Sequence, residues 1–137
     1  MSKVSTYGIP KFCKPINMAP NPHMSTFKRP DGSIPWEISA HGYWKRGTCP
    51  QDAKANVTVR LYEWHENAQK RGFWKEMGSN RQETFPRENK KNKDVLVRLG
   101  CKTNKKVSWI NQVETDVVGY ADPPTVSRTQ ATVGCSV

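Results

Sequence analysis

Three histidines, His23, His41 and His65, and four cysteines, Cys13, Cys49, Cys101 and Cys135, are the side chains best suited to proton or covalent chemistry in this chain. His41 and His65, with Glu37 or Glu63, would supply what cleavage of an RNA phosphodiester needs. One group takes the 2′-hydroxyl proton, a second protonates the leaving oxygen, and a cation stands over the phosphate. The local pattern opposes this. His65 begins a polar stretch that reads as a loop, away from the strand that carries Glu37 and His41. No catalytic residue is therefore expected, and His41, His65 and Glu63 are the set for the alternative, a secreted basic ribonuclease-type toxin. A metal site from the same histidines lacks H-x-H or H-x3-H spacing, so neither metal nor cofactor is expected. Walker, dinucleotide and serine-elbow signatures do not occur.

No two cysteines form a C-x-x-C pair, which removes the usual mark of a zinc finger or ribbon. Four dispersed cysteines in a small basic chain read as two disulfides, and so as an oxidising compartment. The favoured pairing joins Cys49 to Cys101 across two sheets and Cys13 to Cys135. Cys13–Cys49 with Cys101–Cys135 stays open, because sequence does not determine connectivity.

Lysine and arginine total 22 against 12 acids, a formal charge of +10. That balance admits nucleic acid, an anionic cell-wall polymer, a membrane surface or an acidic protein as partner. The charge concentrates in "ENKKNKDVLVRLGCKTNKK", residues 88–106. Lys90, Lys91 and Lys93 precede a short apolar run, and Lys102, Lys105 and Lys106 follow it. These six are the candidate polyanion-binding residues. If the run is one strand, they divide between opposite ends of the domain. Tyr62 and Trp64, set by alternation on the face opposite Val57, Val59 and Leu61, are candidates for stacking on a glycan or a partner.

The elements that would hold these groups are strands. Residues 1–35 contain Pro10, Pro15, Pro20, Pro22, Pro30 and Pro35, which exclude a helix or a central strand. They read as an extended proline-rich N-terminal arm, with a β-sandwich domain over 36–137. From residue 36 the period is two. Ile38, Ala40, Gly42 and Trp44 share a face, then Val57, Val59 and Leu61, then Val95, Val97, Leu99 and Cys101. Val107, Trp109, Asn111, Val113, Thr115 and Val117 follow the same rule. "HENAQKR" leading into "GFWKEM" predicts a hairpin, "QETFP" a separate short strand, and "QATVGCS" the last one. Six to seven short strands at this spacing predict an all-β, immunoglobulin-like sandwich. No stretch approaches the roughly 20 apolar residues that cross a bilayer as a helix. An apolar leader is missing, so secretion would require one already removed.

"GYWKRGTCP", "ANVTVRLYEW" and the run from Trp109 through "VETDVVGYADPP" resemble small secreted proteins of Gram-positive bacteria, especially actinobacteria, over residues 42–135. The resemblance implies a leader-directed, disulfide-stapled β-sandwich of no settled enzymatic activity. It also implies a role such as adaptor within a multi-protein toxin particle. The expectation is a secreted binding protein whose partner is a protein or an anionic surface polymer. A carbohydrate-binding module and the ribonuclease-type toxin are the alternatives.

Overall fold

A computed structural model describes residues 10–26, 30–32, 35–69, 71–88 and 94–137. Among these residues eight strands form: β1 (Ile16–Met18), β2 (His23–Thr26), β3 (Trp36–Lys45), β4 (Ala55–Glu66), β5 (Gly72–Thr84), β6 (Val95–Gly100), β7 (Thr103–Val117) and β8 (Thr125–Ser136). They make two four-stranded antiparallel sheets. In sheet one, β3 is central. β6 pairs with its residues 37–42, and β2 takes residues 36–39 from the opposite edge. β1 pairs with residues 43–45 of β3, so β1 and β2 follow one another along that edge. Sheet two has the order β5-β4-β7-β8.

The alternation predicted from sequence becomes the interior. Ile38, Ala40 and Trp44 of sheet one meet Val57, Val59, Leu61, Trp109 and Val113 of sheet two, all fully buried. Both large indoles satisfy their single donor there. Trp44 Nε1 donates to the Thr84 carbonyl at 3.3 Å, and Trp109 Nε1 to that of Cys135 at 2.8 Å. Gly42 lies where no side chain fits, because a Cβ would come within 2.5 Å of a Val59 methyl. Asn111, also buried, donates to the carbonyls of Pro20 and His41 at 2.9 and 2.7 Å. Pro20 and Pro22 interrupt the edge between β1 and β2 because neither offers an N–H to the ladder, and Asn111 serves carbonyls at that interruption.

Several expectations are corrected. Cys49 pairs with Cys13, not Cys101, and Cys101 pairs with Cys135. Register explains it. β1 runs antiparallel to the end of β3, with Ile16 opposite Lys45, so Cys13 and Cys49 lie just beyond two paired strand ends. Thr103 stands opposite Ser136 and Lys102 N donates to the Ser136 carbonyl, which brings Cys101, one residue back, beside Cys135 at the end of β8. "QETFP" is no separate strand, since β5 continues unbroken through Thr84. His65 belongs to β4 rather than to a loop, because the hairpin turn begins only after Glu66. The last strand begins at Thr125, immediately after Pro123 and Pro124. Residues 1–9, 27–29 and 33–34 of the proline-rich segment, with Lys90, Lys91 and Lys93, lie outside the described residues. Among the described residues, no helix is long and apolar enough to cross a membrane.

Candidate binding pole

β3, β5 and β7 begin, and β4, β6 and β8 end, at one pole of the molecule, which fixes what can gather there. The connection from β6 to β7 crosses between the sheets in two residues, Cys101 and Lys102. Its backbone is clamped on both sides. Cys101 N donates to the Trp36 carbonyl at 3.0 Å in sheet one, and Lys102 N to the Ser136 carbonyl at 2.8 Å in sheet two. The Cys101–Cys135 disulfide ties the same point. Between Thr103 and Lys106 the β7–β8 register is irregular, which takes Lys105 out of the ladder. Lys102, Lys105 and Lys106 are all exposed.

On one side of this connection lies a groove of about 540 Å³. Lys105 and Lys106 border it, with the hydroxyls of Ser108, Thr132 and Ser136 and the end of β4 from Glu63 to Glu66. Ser108 and Thr132 share a hydrogen bond at 3.2 Å. Glu63 continues the inner face of Val57, Val59 and Leu61, so its carboxylate is 2% exposed. Its Oε2 accepts the Val137 N–H at 2.9 Å. Its Oε1 stands 2.8 Å from His65 Nε2, out of line for a hydrogen bond, and among the described residues neither atom has another partner. His65 stacks on Phe73 across the hairpin, with ring centres 5.6 Å apart.

On the other side is a smaller pocket of about 340 Å³, walled by Met24, Pro35, Trp36 and the chain from Gly100 to Asn104. Trp36 is 56% exposed and Met24 38%. Sequence reasoning passed over both. The available signal was Trp36's place two residues ahead of Ile38, on the same face.

His41 is elsewhere, on the outer face of β3. Its ring lies parallel to that of His23 at 5.1 Å. Burial first, then His23, depress its pKa below the ordinary imidazole value; Asp94 pulls it upward and Arg98 downward. The structure thus brings Glu63 to His65 but leaves His41 with His23. Tyr62 and Trp64 occupy the outer face of sheet two, both half-buried. Trp64 packs over Gly72, meets Trp74 edge-on at 5.1 Å and donates Nε1 to Glu66 at 3.3 Å. One side of its ring is therefore occupied by the protein itself. Among the described residues, no three histidine, cysteine or acidic side chains converge as a metal would need. Comparison with known proteins finds no matching family model, no matching curated protein and no matching solved structure.

Proposed function

We propose that this chain is a secreted binding protein without catalytic activity, whose lysine-bearing pole meets an anionic surface polymer or an acidic protein. The observation that carries the reading is the exposure of Lys102, Lys105 and Lys106 within one short segment beside a groove lined by the hydroxyls of Ser108, Thr132 and Ser136, with Glu63 and Glu66 on its far wall. Three lysines within five residues, the first on a clamped backbone, concentrate positive charge at this pole, and Ser108, Thr132 and Ser136 offer hydrogen bonds to a polyhydroxylated or phosphorylated chain. Two disulfides suit an oxidising, extracellular setting. The strand order supports an immunoglobulin-like assignment for residues 36–137. The sheet of β3 and β6, edged by β1 and β2 of the arm, packs on β5-β4-β7-β8, as in sandwiches whose middle strand joins the second sheet. Residues 1–35 form its proline-rich arm in this reading.

Retention on immobilised polyphosphate tests the proposal. The protein is expected to elute at a salt concentration well below that for a strong non-electrostatic binder, with log affinity falling linearly against log salt. Replacing Lys102, Lys105 and Lys106 together by Gln is expected to weaken binding by at least tenfold. Equal retention of that variant would overturn the assignment to this pole. The approach of the buried Glu63 carboxylate to 2.8 Å from His65 favours the ribonuclease-type alternative as a second reading, since rotation of the ring into line would let the carboxylate orient it for proton transfer. RNA cleavage lost in His65→Ala would establish it over simple binding.

A further inference from the structure

Trp36 and Met24 belong to the inner face of sheet one. Trp36 heads the series Ile38, Ala40, Gly42 and Trp44, and Met24 stands directly opposite Ile38. Such positions are ordinarily core. Here Trp36 lies past the end of the packed interior and Met24 on the edge strand β2 beside it, which leaves an indole 56% exposed and a thioether 38% exposed at the mouth between the sheets. The 340 Å³ pocket opens beside them, and Lys102 borders that same pocket. Lys105 and Lys106 follow within four residues, and no acidic side chain lies between Leu96 and Glu114.

A soluble polyanion would use the lysines and leave Trp36 and Met24 in water. An anionic lipid surface uses both. Indole rings favour the level of the headgroups, apolar side chains reach the acyl boundary just beneath, and lysines meet the phosphates above. We propose that this pole docks on an anionic lipid surface, with Trp36 and Met24 entering the interface and Lys102, Lys105 and Lys106 at phosphate level. The proposal rests on the function proposed above for the lysines alone. The apolar half is independent of it. The backbone at the contact is already rigid, because Cys101 N is bonded to the Trp36 carbonyl and the disulfide holds Cys101, so little ordering accompanies docking.

The test is co-sedimentation with vesicles of phosphatidylglycerol and phosphatidylcholine, beside vesicles of phosphatidylcholine alone and soluble polyphosphate. Binding is expected only to the anionic vesicles among the two lipid samples. Each Lys→Gln replacement at 102, 105 or 106 is expected to weaken partitioning by about fivefold. Trp36→Ala is expected to weaken it by roughly tenfold while leaving polyphosphate binding unchanged; Trp36→Phe should recover part of the loss. Trp36 is more than half exposed, so these variants retain the fold, which near-ultraviolet circular dichroism verifies. If Trp36→Ala binds vesicles as well as the parent, or if both vesicle types bind equally, the lipid proposal fails. Polyphosphate binding without any vesicle binding also defeats it while sparing the proposed function. Loss of both overturns both.

Discussion

At the scale of single residues, two glycines make opposite predictions. Gly42 faces the interior between Val59 and Val113, and a methyl there would stand 2.5 and 2.9 Å from their side chains. Both neighbours are fully buried and have nowhere to move. Gly42→Ala should cost about 1–3 kcal/mol in urea unfolding, and an unchanged midpoint would refute the packing described. Gly72 lies under the Trp64 ring on the outer face, where the ring can swing into solvent. Gly72→Ala should therefore alter tryptophan fluorescence with a much smaller loss of stability. His41 supplies a pH prediction. Its pKa is lowered in the folded protein, so the unfolded chain takes up a proton first as pH falls. Stability is intact above about 6.5, the ordinary imidazole value, and declines as pH drops through and below it. The groups facing this ring are His23 on β2 and Asp94 and Arg98 beside β6 and on it. Melting curves from pH 7.5 to 5 should show a shallower decline in His41→Gln than in the parent. Identical slopes would remove His41 as the cause.

At the scale of elements, the disulfides act where strands end. Each closes a loop with a sequence separation of 36 or 34 residues. In the chain-entropy picture each is worth about 3–4 kcal/mol. The two differ in what they hold. Cys13–Cys49 fastens the start of β1 to the end of β3. Cys101–Cys135 fastens the crossing from β6 to β7 at the lysine-bearing pole. Replacing Cys101 and Cys135 by Ala should lower stability by about that amount and bring proteolytic cleavage to residues 100–106. Replacing Cys13 and Cys49 should direct cleavage to the segment before β1 instead. The same cleavage pattern in both variants would contradict the separate roles. Strand edges show a related division. Asn80 of β5 donates to the Leu96 carbonyl of β6 at 2.9 Å, and Thr129 of β8 to that of Pro20 at 3.1 Å. Side chains therefore close both flanks of the sandwich where no ladder can.

At the scale of the whole molecule, a charge of +10 on a 137-residue chain implies net self-repulsion in the compact state. Local ion pairs relieve little of it. Arg60 with Glu76 at 3.0 Å and Arg87 with Asp94 at 3.2 Å are substantially exposed, and such pairs contribute at most about 1 kcal/mol each. Salt shortens the reach of the repulsion from about 30 Å at 0.01 M to about 8 Å at 0.15 M. The melting temperature should rise over that interval. A fall would mean that screening of attractive pairs outweighs screening of the net charge.

The chain's local pattern settles its class of structure. Period-two apolar series define β3, β4, β6 and β7, and cysteines without close pairs mark disulfides, because side-chain alternation and residue type are properties of neighbours along the chain. The edge strands β1 and β2 were illegible, since prolines hide short pairing segments whose partner is supplied by β3 alone. Disulfide connectivity and the meeting of Trp36 with Lys102 were equally out of reach. Both depend on register and on which strand ends share a pole, and those follow from long-range pairing between the sheets. Glu63 illustrates the boundary. Its place two residues after Leu61 sets it on the inner face of β4, but only tertiary packing decided that this face, two residues further on, opens at His65 into a groove.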